Sequence, residues 1–559
     1  MSVPAPERPR STLRAGVVPY PDDAVRRYRE AGLWGDRTLV QEFQRVAAAH
    51  PQVVALVTDA GTLTYAELDA RTDLIACGLG ELGLRPGDPV VFQVTNRQET
   101  VLAWYATLKA GLLPVCALAH HRGHEISQIS RLVGAVGHLV EAGTRGFDLV
   151  AFGREQAQDH PTLRHLLTVG AAADAGTVRL EDLGRDADPT VARARVDAVQ
   201  AGIGPDDVAV LQLSGGTTGV PKVIPRLHAE YWYNALAYAS AWGWNASSRV
   251  AHLIPVVHNA GIVCGLHGPH SVGGTLVLAS PDLDRALPLM AAAGVTDVLF
   301  GHGHYGVIDH PGLAAVVPTL RTVVLSGAKV SAELFDRFEA LGLWTGQLFG
   351  MGEGMFAVTF PGAPRRARNE TVGTPLSPLD EVRVLRPDSE DEVPPGEVGE
   401  LCARGPYTIR GYLAAPEHDA RAFTGDGFYR TGDLARLVDI DGGRYLAVEG
   451  RIKDVINRGG EKVNAEEVEQ LLVRHPAVAA AAVVAVPDER LGERACAVLV
   501  ADGDPVDLAE LRRHLEALGV AKYKWPERLE WRTELPRTQV GKLDKKRLRA
   551  EVAGGPPPG

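Results

Sequence analysis

Between Leu211 and Lys222 the chain reads Leu-Gln-Leu-Ser-Gly-Gly-Thr-Thr-Gly-Val-Pro-Lys, an apolar run opening into three glycines, three hydroxyls and one lysine. Such a loop can wrap phosphates. Gly215, Gly216 and Gly219 let backbone N–H groups approach an anion, Ser214, Thr217 and Thr218 donate hydrogen bonds, and Lys222 supplies charge. The spacing departs from a Walker A loop, because Lys222 follows Val-Pro and precedes Val223 where that loop has Gly before and Ser or Thr after. A P-loop kinase or ATPase is therefore disfavoured. The alternative is a glycine-rich surface turn, which has little need for so many donors directly after a buried strand.

A strand must deliver this loop, and the surrounding pattern supplies one. Thr62-Leu-Thr-Tyr-Ala-Glu-Leu-Asp69 places Thr64 and Glu67 at capping-box spacing, predicting a helix that stops near Gly83. A strand over Pro89 to Val94 follows, then a helix over Glu99 to Lys109. Apolar runs at 112–118, 208–213, 275–278 and 322–325 alternate with helical segments, which implies an α/β architecture with largely parallel sheets. From about residue 450 a smaller α+β unit is expected. It has a helix over Ala465 to Arg474 with Asn464 as N-cap, strands over Val478 to Val486 and Ala495 to Val500, and a helix from Asp507 with Glu510 at capping-box spacing.

The totals bound the function. A chain of 559 residues is long enough for at least two domains. Its 45% hydrophobic and 23% charged residues are ordinary for a globular protein. With 69 acidic against 58 basic residues the formal charge is -11, which disfavours nucleic acid or an anionic membrane as a general partner. No apolar stretch approaches the ~20 residues that span a bilayer, and Met1 to Arg14 lacks a secretory h-region, so a cytoplasmic location is expected. Cys77, Cys116, Cys264, Cys402 and Cys496 form no CxxC pair, against a disulfide framework or zinc ribbon.

Four further segments carry chemistry in order: Leu348-Phe-Gly-Met-Gly-Glu-Gly354, Tyr429-Arg-Thr-Gly-Asp433, Gly450-Arg-Ile-Lys-Asp454 and Pro536-Arg-Thr-Gln-Val-Gly-Lys542. Each alone is weak. With the loop at 211–222, their order and distances resemble the adenylate-forming superfamily of acyl-CoA synthetases, peptide-synthetase adenylation domains and luciferases, over residues 19 to 551. The resemblance implies that Phe349 packs on adenine, Gly327 and Gly350 lie at the nucleotide, and Glu353 holds magnesium. Asp433 would bind the ribose hydroxyls, Arg451 would lie near ribose and phosphate, Lys453 would be the hinge, and Lys542 the catalytic lysine. It also implies a large adenylation domain over 19–450 and a mobile lid over 451–551, with 1–18 and 552–559 as flexible tails.

Within the superfamily the chain is most similar to free-standing aryl-acid adenylases of siderophore pathways, which make 2,3-dihydroxybenzoyl-AMP or salicyl-AMP. The likeness rests on Tyr20-Pro-Asp-Asp-Ala-Val-Arg-Arg-Tyr-Arg-Glu-Ala-Gly-Leu-Trp34, on His121-Arg-Gly-His-Glu-Ile126 and on the pair His258-Asn259. It implies that Asn259 hydrogen-bonds an ortho substituent, that His258 lies beside the carboxylate, and that Ala260, Ser326, Gly327, Met351 and Phe356 line the acyl pocket. Ala260-Gly261 departs from the aromatic-proline pair of those enzymes, and Ser326, Met355 and Phe356 also look altered at pocket-facing positions. An ortho-hydroxy or ortho-amino benzoate with added bulk, or a heteroaryl acid, is the expected substrate.

The implied reaction joins two anions, the carboxylate and the α-phosphate of ATP. Mg2+ at Glu353, the 214–222 loop and Lys542 would offset their repulsion. The lid would then turn about Lys453 and present Arg458-Gly-Gly-Glu-Lys-Val-Asn464, where Gly459 and Gly460 leave room for a phosphopantetheine arm on an aryl carrier protein. Free coenzyme A is the alternative acceptor, and a non-catalytic nucleotide-binding role the remaining alternative. Lys542, Lys545, Lys546, Arg547 and Arg549 form either a surface for an acidic carrier or a solvated helix face. His120 and His124 are spaced for a metal if helical, though a structural role is favoured. His302 and His304 follow a strand end, and either line the acyl pocket or sit in a solvated loop.

Overall fold

The computed structural model describes residues 14–143, 146–170, 176–214, 221–327, 330, 332–386, 389–452, 455–536 and 545–554. Two parallel-rich sheets carry the larger part. One runs, edge to edge, through Val178–Arg179, His165–Gly170, Gly137–Ala142, Pro89–Gln93, Leu113–Val115, Val208–Leu213 and Val223–Leu227. Its strands are parallel except for the last pair, an antiparallel hairpin in which Leu213 faces Val223. The second sheet has nine strands among the described residues, with Trp344–Met351, Thr322–Ser326, Asp297–Gly301 and Arg249–His252 as parallel neighbours in its interior. Strands such as Val208–Leu213 and Thr275–Leu278 are buried almost throughout, because helices cover both faces of parallel sheets and exclude polar residues from either side.

The helix after Thr64 spans Tyr65–Glu81, with the Thr64 side chain accepting from the Glu67 N–H at 3.2 Å and the Glu67 carboxylate accepting from the Thr64 N–H at 2.8 Å. That satisfies two N–H groups the first turn would otherwise leave unpaired. A third, antiparallel sheet of Glu381–Leu385, Gly399–Arg404, Tyr429–Ile440 and Gly443–Arg451 leads toward the C-terminal unit.

The C-terminal domain is separate, with its own sheet and its own core. Val455–Arg458, Glu461–Asn464, Val478–Asp488, Gly492–Ala501 and Arg528–Arg532 form the sheet, against which Ala465–Leu472 and Leu508–Ala517 pack through Val468, Leu471, Leu511 and Leu515. Each such side chain contributes about 1.5–3 kcal/mol when fully buried. Asp507 caps its helix as expected, accepting from the Glu510 N–H at 2.8 Å, while the first helix ends at Leu472, two residues short of Arg474.

The segment 14–18 is anchored, with the Gly16 carbonyl accepting from the Ala414 N–H at 2.9 Å. At the other end, the helix Lys545–Val552 continues through the buried Val552. No helix among the described residues is long and apolar enough to cross a membrane.

Candidate active site

Both large sheets end, at the carboxyl ends of their parallel strands, on one cleft of about 2190 Å³. This is where open α/β sheets bind ligands, because the loops leaving the strands fan apart there. Ser214 leaves one sheet, Ser326 and Gly327 leave the other, and the third sheet contributes Asp433. His258, Asn259, Ala260, Lys222, Phe349, Gly350, Met351, Glu353, Phe356, Gly459 and Gly460 border the same cleft. Gly215, Gly216, Thr217, Thr218, Gly219, Lys453 and Lys542 lie outside the described residues. Arg451 is paired in register with Asp433 across the third sheet.

The neck of the glycine loop is closed by its own ends. The Ser214 N–H donates to the Lys222 carbonyl at 2.9 Å, and the Lys222 N–H donates to Ser214 Oγ at 3.1 Å. Lys222 Nζ lies 5.6 Å from the centre of the Tyr412 ring. Tyr412 in turn donates its hydroxyl to the Glu353 carboxylate at 2.6 Å and exchanges a hydrogen bond with the Tyr429 hydroxyl at 2.9 Å. Nothing in the local sequence flagged Tyr412.

Among the described residues no group of three or more His, Cys, Asp or Glu side chains is arranged to hold a metal ion. A cation at Glu353 would therefore take its remaining ligands from phosphate oxygens and water. That is the ordinary mode of Mg2+, which keeps waters and combines one or two carboxylates with substrate phosphates, so the donor set fits.

Asn259 is 4% exposed and held on three sides. Its Oδ1 accepts from Tyr231 at 2.9 Å and from Arg226 at 3.3 Å, and its Nδ2 donates to the Met351 carbonyl at 3.1 Å. Among the described residues the second amide N–H has no partner, which leaves it available to a ligand. Arg226 is itself fully buried and forms a two-pronged pair with Glu230, at 2.9 and 2.8 Å. The signal for this network was present as opposite charges at i and i+4, Arg226 and Glu230, in the mostly apolar stretch from Val223 to Tyr231. His258 is exposed to the cleft, and its Nδ1 accepts from the Ala260 N–H at 3.3 Å, leaving the proton of the neutral ring on Nε2.

Other expectations are refined. Ala260 borders the cleft, but a Cβ on Gly261 would lie 2.4 Å from the Val256 carbonyl oxygen, so that glycine answers to backbone packing and not to pocket width. Phe356 borders the cleft, with its ring where a Cβ on Gly350 would sit, 2.6 Å away, whereas Met355 packs among Ala357, Leu401, Ala403 and Leu446. Successive strand residues point to opposite faces, so the two could not both face the pocket. In the His302-Gly-His304 segment, His304 borders the cleft, and its Nδ1 is buried without a hydrogen-bond partner among the described residues.

His120 precedes the helix Gly123–Val133, which removes the helical i,i+4 metal geometry. It lies 3.5 Å from Glu461, and His124 lies 3.6 Å from Glu467, both carboxylates belonging to the C-terminal domain. In the basic patch, Lys545 pairs with Glu469 at 2.6 Å and Arg547 with Glu551 at 2.7 Å.

Residues 43–413 match the family described as AMP-binding enzyme, and residues 467–542 match the AMP-binding enzyme C-terminal domain. The chain belongs to the AMP-binding enzyme family. As an adenylate-forming ligase it is 44% identical to a salicylyl-CoA synthase / salicylate adenylyltransferase from a Streptomyces species, over 97% of this chain and 98% of that one. It is 39% identical to the salicyl-AMP ligase / salicyl-S-ArCP synthetase of Mycobacterium tuberculosis, over 97% and 96%. Among solved structures, the apo structure of Mycobacterium smegmatis MbtA superposes on this AMP-binding enzyme with a TM-score of 0.73 at 39% identity, covering 96% of this chain and 99% of that one.

Proposed function

We propose that the enzyme joins an aromatic carboxylic acid, ortho-hydroxylated or ortho-aminated, to AMP and then passes the acyl group to the phosphopantetheine thiol of an aryl carrier protein. The observation that carries this reading is the single cleft in which Lys222, Glu353 and Asp433 meet His258 and Asn259, beneath the Gly459-Gly460 hairpin.

In the first step a carboxylate oxygen attacks the α-phosphorus of ATP, the bond from that phosphorus to the β-bridging oxygen breaks, and pyrophosphate leaves. Ser214 and Lys222 lie where the phosphates would pass, Asp433 offers a carboxylate to the ribose hydroxyls, and the Phe349 ring offers a face to adenine. Mg2+, held by Glu353, would supply positive charge to the phosphates and the departing pyrophosphate. Asn259, fixed by Arg226 and Tyr231, turns one N–H toward the ortho substituent, and His258 Nε2–H faces the carboxylate. Lys542 would clamp carboxylate and phosphate oxygens by charge and position.

In the second step the lid, residues 451–551, has turned about Lys453. The thiol sulfur attacks the acyl carbon, the bond to AMP breaks, AMP leaves, and the thiol proton passes to solvent. Gly459 and Gly460 have φ of 59° and 93° in the two-residue turn between Val455–Arg458 and Glu461–Asn464, a backbone that glycine adopts without strain and that keeps the turn thin above the cleft. Coenzyme A as acceptor is the second reading, favoured by the likeness to the Streptomyces salicylyl-CoA synthase.

The test is acid-dependent exchange of labelled pyrophosphate into ATP across a panel of aryl and aliphatic acids, with Lys542→Ala as control. Exchange with an aryl acid, lost in the variant, supports the reading. Exchange with aliphatic acids alone, or with none, overturns it. Supplying carrier protein and coenzyme A separately then distinguishes the acceptors.

A further inference from the structure

The C-terminal hairpin sits over the cleft because the two domains touch at several points. The Asn457 side chain donates to the Gly327 carbonyl at 2.7 Å, and a Cβ on Gly303 would stand 3.1 Å from the Gly459 carbonyl oxygen. A second contact lies in the helix Gly123–Val133. There Lys524 Nζ donates to Glu125 Oε1 across the domain boundary and to Glu467 Oε1 within its own domain, each at 2.9 Å. All three side chains are within 5% of complete burial. Glu125 spends its other oxygen on the Arg122 N–H at 2.9 Å, so its carboxylate is fixed before Lys524 arrives. His120 stacks edge-on against Tyr523 with ring centres 4.5 Å apart, beside Lys524.

We infer that Lys524 and Glu125 are positioning residues for the thioester-forming step, an ion pair that holds the lid in the arrangement with Gly459 and Gly460 over the cleft. The inference rests on the two-step reading above. The physical reason is that these charges are buried together only while the domains are docked. Burying both costs solvation that their attraction roughly offsets, but removing one partner leaves the other buried and unpaired, which penalises the docked arrangement alone. On the two-step reading adenylation uses a different arrangement of the lid, so it is not expected to depend on the pair.

The experiment uses the full-length enzyme with its best acid and acceptor. Lys524→Ala and Glu125→Gln are each expected to keep pyrophosphate exchange within about twofold of wild type and to slow thioester formation by about tenfold or more, the scale of losing ~1.4 kcal/mol or more from docking. The double exchange Lys524→Glu with Glu125→Lys, made in a Glu467→Gln background so that no two carboxylates are left adjacent, re-forms one ion pair across the domain boundary and is expected to restore thioester formation. A direct contact of Lys524 with the acceptor would not be restored in this way. Equal loss of both half-reactions, no loss of either, or failure of the double exchange overturns the inference.

A second readout needs no turnover. The native cysteines are all buried, so spin labels on Leu341→Cys and Val473→Cys, both exposed positions, report the inter-domain distance. Lys524→Ala is expected to deplete the docked distance and the double exchange to refill it. An unchanged distribution overturns the inference whether or not an acid substrate is found, whereas absence of exchange in the wild type strikes the two-step reading alone.

Discussion

The Tyr412 hydroxyl donates to the Glu353 carboxylate at 2.6 Å, so the acid proposed to hold magnesium is aimed by a phenol from a different part of the chain. A hydrogen bond to a charged group contributes about 1.5–3 kcal/mol. Tyr412→Phe keeps the ring against Tyr429 and Lys222 and removes the hydroxyl that bonds both Glu353 and the Tyr429 hydroxyl. Pyrophosphate exchange should fall by roughly tenfold, with a raised requirement for magnesium and a thermal midpoint lowered by the loss of two buried hydrogen bonds. Magnesium-dependent exchange kinetics check this; wild-type magnesium dependence in Tyr412→Phe would show that Glu353 needs no such aim.

Arg226 and Glu230 form a pair with essentially no exposure of either side chain. Glu230→Ala would leave the guanidinium buried and unpaired, at a cost of about 3–5 kcal/mol. The variant should unfold at a lower temperature and bind the acid more weakly, because Arg226 would release Asn259. Thermal melts together with the KM for the acid in exchange assays test both parts, and an intact melt would contradict the burial argument.

Ala260 borders the cleft beside Asn259 while Gly261 serves the backbone, so of this pair only Ala260 bears on the width of the proposed acyl pocket. Ala260→Tyr should cut exchange with ring-substituted ortho-hydroxy or ortho-amino benzoates by about tenfold or more, on the scale of 1–3 kcal/mol for overpacking, while sparing the unsubstituted acids. A uniform loss across the panel would place the determinant elsewhere.

Glu467 supplies a pH dependence. In the docked arrangement burial first, with the charge of Glu125 adding and Lys524 opposing, raises its carboxyl from the ordinary 4.5 to about 7. Lys524, Glu125 and, at 3.6 Å, His124 face it. A group with a raised pKa in the docked state takes up a proton on docking. Docking is therefore favoured below about 4.5 and weakens as pH rises through 7. Glu467→Gln, which resembles the protonated form, should form thioester at the wild-type rate near pH 6 and faster than wild type near pH 8. Parallel pH profiles of the two enzymes would refute this.

The architecture was legible in the sequence wherever the signal was local. The capping pair Thr64 and Glu67, the buried strand entering Ser214, and Asp507 at its helix start depend on residues within a few positions of one another, and each stands as the spacing predicted. The motif residues Ser214, Lys222, Glu353 and Asp433 were likewise found as residue types in order, and family membership followed from them. Sequence could not say which way each side chain turned. Met355 and Phe356 are neighbours whose opposite fates follow from strand alternation and register, and Gly261 reads as pocket space until the Val256 carbonyl is seen against it. Tyr412 on Glu353, Arg226 on Asn259 and Lys524 on Glu125 join residues 59, 33 and 399 positions apart. Such contacts depend on how sheets and domains pack, and local propensity carries no record of that packing. The chemistry the chain can attempt was thus written in its residue types and spacing, while the aim of its acid, the hold on its amide and the docking of its lid were decided by tertiary structure, because burial sets the worth of a charge or hydrogen bond and only the fold determines what is buried.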